Sequence, residues 1–223
     1  MDIVEFVGVT KSFGRIKALD SASFKVEKGE FVFVVGPSGA GKTTILRLLL
    51  QEYQPTSGKI LFEGKDISTL KKDEIPYYRQ KIGAVFQDFK LLDQRTISEN
   101  VEVALAVKGT EENQWASRVD QVLKLVGLAD RADLFPSQLS GGELQRAAIA
   151  RALVVSPKVI FADEPTGNLD WETAMNIMDL LIKISNEGIT VIVTSHNRSI
   201  IEKLKKRVIE VKNGKVVDGK KEK

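Results

Sequence analysis

Gly36-Pro37-Ser38-Gly39-Ala40-Gly41-Lys42-Thr43 fits the pattern G-x-x-x-x-G-K-[ST] at every fixed position. Its flanks supply the context the pattern needs. Phe31-Val32-Phe33-Val34-Val35 runs into it as a short apolar, β-branched and aromatic stretch, the signature of a buried strand. Thr44-Ile45-Leu46-Arg47-Leu48-Leu49-Leu50 leaves it with a broad apolar helical face. The glycines therefore lie between a strand and a helix N-terminus. Backbone N–H groups there have no intrahelical partner, and the helix dipole adds partial positive charge. Gly39 and Gly41 let the chain curl around a phosphate. Lys42 is placed to reach β- and γ-phosphates and the Thr43 hydroxyl to ligate Mg²⁺.

The bulk of the chain agrees with one large α/β unit. It has 223 residues, 43% of them hydrophobic, which supports a single core able to carry an inserted subdomain. Lys+Arg is 33 against Asp+Glu 30, so the net charge of +3 gives no reason to expect nucleic acid. There is no cysteine, which excludes a disulfide framework, a zinc–thiolate site and a cysteine nucleophile. Met1 to Phe6 alternates like a strand and lacks the regions of a signal peptide, and no apolar run approaches 18 residues. Lys220 to Lys223 forms a short basic tail.

Taken in order, residues 2–10 and 22–26 are expected as strands with Phe13 in the turn between them. The helix after the loop is expected to end near Tyr53, before the breaker Pro55-Thr56-Ser57-Gly58. Lys59 to Phe62 starts another strand, and Pro76 opens a short helix in the polar stretch 66–80. Ile82-Gly83-Ala84-Val85-Phe86 is strand-like and ends in Gln87. From there the pattern is helical, with Ile97, Val101, Leu105 and Ala106 on one face and Val119, Val122, Leu123 and Val126 on another. Further strands are expected at 159–162 and 190–194, helices at 144–155, 171–187 and 199–206, and a hairpin from Val208 to Val217 turned at Asn213-Gly214. Strands alternating with helices argue for a largely parallel sheet covered on both faces.

Three further stations carry chemistry. Val159-Ile160-Phe161-Ala162-Asp163-Glu164 is a buried strand ending in two acids at the edge where ligands bind in α/β sheets. Asp163 is placed to hold Mg²⁺ and Glu164 to act as general base. Leu139-Ser140-Gly141-Gly142-Glu143 reads first as a capping box between Ser140 and Glu143. Two consecutive glycines beside a cap also suggest that something approaches closely, and a second bare helix N-terminus is a second anion site. His196, the single histidine, follows the strand ending at Thr194 and shares the sheet edge with Lys42 and Glu164.

At these residues the chain resembles the nucleotide-binding subunit of ATP-binding cassette (ABC) transporter-type ATPases over nearly its whole length. Gly36 to Thr43, with Thr44, matches Walker A, and Leu139 to Glu143 matches the LSGG(Q/E) signature. Gln87 matches the Q-loop glutamine, and Asp163 and Glu164 close Walker B. Asn168-Leu169-Asp170 matches the D-loop, His196 the switch histidine, and Phe13 the adenine-stacking aromatic. The resemblance implies a RecA-like, mostly parallel core with an antiparallel β subdomain and a helical insertion. Residues 1–87 and 156–223 would form the core and 88–155 the helical subdomain. It implies Mg²⁺-dependent ATP hydrolysis, with Gln87 beside Thr43 and Asp163 at the metal. It also implies a head-to-tail homodimer in which each ATP lies between Walker A of one copy and Ser140, Gly142 and the D-loop of the other. Val85 to Leu92, followed by Thr96 to Val101, resembles the FtsE family of cell-division ATPases. That similarity implies an integral membrane partner resembling FtsX, a place on the cytoplasmic face of the plasma membrane, and control of cell-wall hydrolysis. A lipoprotein-release or macrolide-type exporter ATPase is the alternative, since Ala162 to Asp170 is shared with those families. Phe89, Leu91 and Leu92, close together after Gln87, either pack into the helical subdomain's own core or form a groove edge that receives a short helix of the membrane partner.

Overall fold

A computed structural model describes residues 1–218; the basic tail lies outside the described residues. The chain opens with two long antiparallel strands, β1 (Asp2–Phe13) and β2 (Ile16–Glu27). Toward the turn between them β1 runs three residues and β2 six residues further than the apolar pattern predicts, and Phe13 ends β1, paired with Ile16, instead of lying in the turn. The reason is that the ladder is made by backbone groups. Thr10 to Ser12 and Lys17 lack apolar alternation, yet Ser12 pairs with Lys17 and Lys11 with Leu19. β3 (Phe31–Val35) follows, then α1 (Lys42–Leu49). That helix stops short of Tyr53 because Gln51 turns left-handed (φ 55). The N–H groups of Glu52 and Tyr53 then fold back onto the Arg47 carbonyl at 2.9 and 3.2 Å. β4 (Ser57–Phe62) and β5 (Lys65–Asp66) complete a four-stranded antiparallel sheet of order β2-β1-β4-β5.

After α2 (Ile75–Arg79), with Pro76 in its first turn, comes β6 (Ile82–Phe86). Three helices follow: α3 (Ile97–Lys108), α4 (Trp115–Leu125) and α5 (Gly141–Leu153). Thr96 and Glu99 cap α3 reciprocally, and Gly109 closes it left-handed. Ile97, Val101 and Leu105 are buried as the period requires, whereas Ala106 faces solvent and Ala104 meets the core. β7 (Val159–Asp163), α6 (Trp171–Asn186), β8 (Thr190–Ser195) and α7 (Arg198–Leu204) lead to β9 (Arg207–Lys212) and β10 (Lys215–Asp218). The last two form the hairpin turned at Asn213-Gly214, both with positive φ.

The second sheet has the order β10-β9-β3-β8-β7-β6, parallel from β9 to β6 with β10 antiparallel at the edge. Alternation along its strands divides the core in two. Phe31, Phe33, Ile160, Ala162, Val191 and Val193 face the layer of α3, α4, α5 and α6. Val32, Val34, Val159, Phe161 and Ile192 face α1 and the antiparallel sheet. This mixed α/β architecture brings the C-terminal ends of β3, β7 and β8 side by side. Those ends carry Gly36, Asp163 and Ser195, so the three motifs nearest them converge there.

Candidate active site

The loop from Gly36 to Gly41 leads into α1 with no side-chain cap and no acidic residue in the helix's first turn. The first N–H groups are therefore left to an anion. Gly41 (φ 111) is required here, since a Cβ would lie 2.5 Å from the Ala18 carbonyl oxygen. Pro37, Ser38 and Gly39 are exposed, Ala40 is buried beneath them, and Thr43 and Thr44 stand at the helix start. Lys42 is only 6% exposed. Its ammonium donates to the carbonyls of Gly36 (2.9 Å) and Pro37 (3.2 Å) and pairs with Glu164 Oε1 at 3.3 Å.

Asp163 ends β7 with both carboxylate oxygens engaged. Oδ2 accepts from the Thr43 hydroxyl at 3.0 Å and Oδ1 from the Thr194 hydroxyl at 2.5 Å. Thr194 in turn accepts from the Glu164 backbone N–H at 2.8 Å. Glu164 takes a left-handed conformation (φ 49), rare for a residue with a side chain. Its carboxylate lies between the Lys42 ammonium and His196 Nδ1, while the imidazole is largely exposed. The structure thus joins Lys42, Thr43, Asp163, Glu164 and His196 into one hydrogen-bonded cluster. Thr194 escapes a reading of the sequence, where it is one residue of a strand. Its role follows from register: it is the direct partner of Asp163 across the β7–β8 ladder.

Gln87 comes in from β6. Its amide nitrogen reaches Asn168 Oδ1 at 3.4 Å, and it lines a cavity of about 380 Å³ with Thr43, Arg47, Asp88, Asp163 and Asn168. Beyond it Phe89 and Lys90 both take positive φ (58 and 52), and the Arg151 guanidinium holds their carbonyls at 2.8 and 2.5 Å. Burial lowers the pKa of that guanidinium. Phe89 and Leu91 pack on the helical-side core, and only Leu92 is exposed. Of the two readings of this stretch, inward packing holds for Phe89 and Leu91, and only Leu92 is left to an outside contact. The exposed apolar surface lies nearby, in a groove of about 520 Å³ lined by Pro76, Ile82, Ala84, Val103, Val107 and Ala152.

Ser140 and Glu143 make the capping box in full: the Glu143 carboxylate accepts from the Ser140 N–H (2.9 Å) and hydroxyl (2.7 Å). Those bonds, with Arg131 beside it at 3.2 Å, hold the Glu143 carboxyl down at about 2. The close approach that two glycines suggested is met within the chain. A Cβ on Gly142 would lie 2.4 Å from the Thr173 methyl, and one on Gly141 3.3 Å from Leu169. Asp170 caps α6 by accepting from Thr173 N–H at 3.0 Å; the Thr173 hydroxyl first, and then this bond, lower its pKa. Among the described residues no hydrogen bond or ion pair joins Ser140–Glu143 to Gly36–Thr43. Phe13 is 41% exposed, with its ring edge-on to Tyr53 at 5.1 Å.

The family model described as "ABC transporter" matches residues 19–167. The chain belongs to the ABC transporter family. This cassette is 49% identical over 96% of its length to the cell division ATP-binding protein FtsE of Bacillus subtilis (strain 168), covering 95% of that relative. It superimposes with a TM-score of 0.86, at 38% identity and 96% coverage of both chains, on the dimeric structure of MJ0796, a bacterial ABC transporter cassette. A dimeric post-hydrolysis state of MJ0796 bound to ADP and Pi matches with the same TM-score at 36% identity, covering 98% of this cassette and all of that chain. This cassette is an ATP-binding ATPase of that fold. Among the described residues no helix is long and apolar enough to cross a membrane.

Proposed function

We propose that this cassette is the ATP-hydrolysing subunit of a cell-division complex of the FtsEX kind, drives an integral membrane partner resembling FtsX, and works on the cytoplasmic face of the plasma membrane. The cluster of Thr43, Asp163, Lys42, Glu164 and His196 at the C-terminal ends of adjacent parallel strands carries the hydrolytic part of the reading, and the 49% identity to an FtsE protein supports the cell-division part. The uncapped start of α1, with residues 36–44, receives the phosphates. Lys42 exchanges the Gly36 and Pro37 carbonyls and its pairing with Glu164 for β- and γ-phosphate oxygens, which leaves the Glu164 carboxylate free to accept a proton from the attacking water. His196, beside Glu164 Oε2, fixes that carboxylate.

Thr43, Asp163 and Gln87 offer only oxygen donors on the metal side. Among the described residues no cage of three or more His, Cys, Asp or Glu side chains exists. That donor set fits Mg²⁺, which keeps waters and takes few protein ligands. Held by Thr43, Asp163 and Gln87, it would supply positive charge that offsets the phosphates. Asp163 is pre-oriented for it by Thr194.

Ser140, Gly141, Gly142, Glu143 and Asp170 act on the nucleotide of a second copy. Two observations support this: among the described residues the signature cap makes no hydrogen bond or ion pair with its own phosphate loop, and the similar MJ0796 cassette is dimeric. The helical segment 88–155 would carry the signature toward the partner copy. The membrane partner docks a short cytoplasmic helix in the groove between α2, β6, α3 and α5, where Val103 and Val107 are exposed. Aspartate at Val103 or Val107 tests this in the co-expressed complex. Partner-stimulated turnover and co-purification are expected to be lost with basal turnover kept. Retained co-purification with both charges in place would move the docking surface elsewhere.

A further inference from the structure

Phe13 ends a strand beside the two-residue turn Gly14-Arg15 and is 41% exposed. A ring in that place, without neighbours, would sample several rotamers. Its neighbours come from residues 53–56, just past α1. Lys11 Nζ donates to the Gln54 carbonyl at 2.8 Å, the Ser12 N–H to the Thr56 hydroxyl at 3.1 Å, and the Thr56 N–H to the Thr10 carbonyl at 2.8 Å. These bonds strap the end of β1 to that segment. The ring contact is with Tyr53: centroids 5.1 Å apart, planes at 73°. This is the edge-to-face arrangement favoured by the ring quadrupoles.

Tyr53 is itself fixed to α1. Its hydroxyl accepts from the Arg47 guanidinium at 2.6 Å, and its N–H reaches the Arg47 carbonyl at 3.2 Å. Arg47 lies one helical turn after Thr43, on the helix that receives the phosphates. The Lys11 ammonium stands 5.0 Å from the Phe13 centroid and 5.4 Å from that of Tyr53, and the Arg47 guanidinium 5.4 Å from Tyr53. Two cations thus hold two rings in one assembly. A continuous path runs from the phosphate helix through Arg47 and Tyr53 to Phe13.

We propose that Tyr53 is a positioning residue for the nucleotide base: it fixes the Phe13 ring at a set distance from the phosphate loop, so that base and phosphates are met together. The proposal rests on Phe13 as the stacking aromatic. It gives no preference among purines, because every base offers a π-face. Nothing in the spacing of the sequence singles out Tyr53; the contact arises because α1 ends early and residues 50–53 turn back toward β1.

The test compares three probes by titration: ATP, GTP and inorganic tripolyphosphate, which has phosphates and no base. Tyr53→Ala is expected to raise Kd for ATP and GTP alike by about 2- to 12-fold, the range for losing an aromatic pair. Its Kd for tripolyphosphate should stay within about twofold of wild type, which a general disturbance of α1 would not allow. Tyr53→Phe should restore most of the ATP affinity, since the ring contact survives. The double variant Phe13→Ala/Tyr53→Ala should bind ATP no more weakly than Phe13→Ala alone, because both act through one ring. Equal losses for ATP and tripolyphosphate in Tyr53→Ala would overturn the proposal. So would an unchanged ATP Kd in Tyr53→Ala beside a weakened one in Phe13→Ala, and that result would leave the Phe13 reading intact. An unchanged Kd in Phe13→Ala would remove both.

Discussion

Thr194→Val is close to isosteric, so it leaves no cavity and removes one hydroxyl. That hydroxyl is fully buried and does two things: it donates to Asp163 Oδ1 and accepts from the Glu164 N–H. Losing the bond to a carboxylate costs about 1.5–3 kcal/mol and the neutral bond about 1 kcal/mol, with the Glu164 N–H left without this partner. The expected destabilisation is about 2.5–4 kcal/mol. In a domain of 223 residues that lowers Tm by about 5–15 °C. Activity should fall too. Glu164 is held left-handed (φ 49), and its N–H bond to Thr194 pins its backbone there together with the bond its carbonyl accepts from the Gly167 N–H at 3.1 Å. A misplaced carboxylate that loses about 1.4 kcal/mol of transition-state stabilisation slows turnover about tenfold. Thermal unfolding and phosphate release with Mg-ATP measure the two effects. Thr194→Ser keeps the oxygen and should stay near wild type in both. A Thr194→Val protein with wild-type Tm and turnover would refute the reasoning that this hydroxyl ties β8 to the two acids.

Lys42→Ala should weaken nucleotide affinity as well as rate, since the ammonium meets phosphate charge before and during the reaction. A loss of roughly 10- to 100-fold in Kd is expected from charged hydrogen bonds, and a titration with wild-type affinity would contradict it. Glu143 supplies a pH dependence. Its folded carboxyl titrates at about 2, below its ordinary 4.5. Its contribution is therefore complete above about pH 4.5 and is lost as pH falls toward 2. Glu143→Gln can form the same cap without titrating. The stability gap between wild type and this variant, about 1 kcal/mol at pH 6, should shrink by pH 3 in denaturant unfolding. A gap independent of pH would mean the carboxylate charge adds nothing to the cap.

The parts legible in the sequence are those in which neighbours along the chain do the work. The strand–loop–helix around Gly36 to Thr43, the acids closing β7, the cap of α5 and the turn at Asn213-Gly214 all depend on local periodicity, glycines and caps. The unread parts depend on distant segments. Thr194 matters because parallel register sets it opposite Asp163, 31 residues away. Gly142 is glycine because the Thr173 methyl of another helix stands 2.4 Å from where its Cβ would be. Phe13 extends a strand that side-chain alternation could not extend, because backbone pairing carries it. Phe89 and Leu91 turn inward because Arg151, 62 residues after Phe89 and 61 after Lys90, holds the carbonyls of those two residues. In each case the sequence holds the residue and the fold supplies its partner.

Glu164→Gln bears most directly on the central claim, that Glu164 takes the proton from water in a site completed by a second copy. The variant keeps the shape of the side chain and removes its basicity. With Mg-ATP it should bind nucleotide, lose roughly 10²–10⁴-fold in phosphate release, and run as a stable dimer on size exclusion while wild type returns to monomer after turnover. A Glu164→Gln protein that hydrolyses ATP at the wild-type rate would contradict the account.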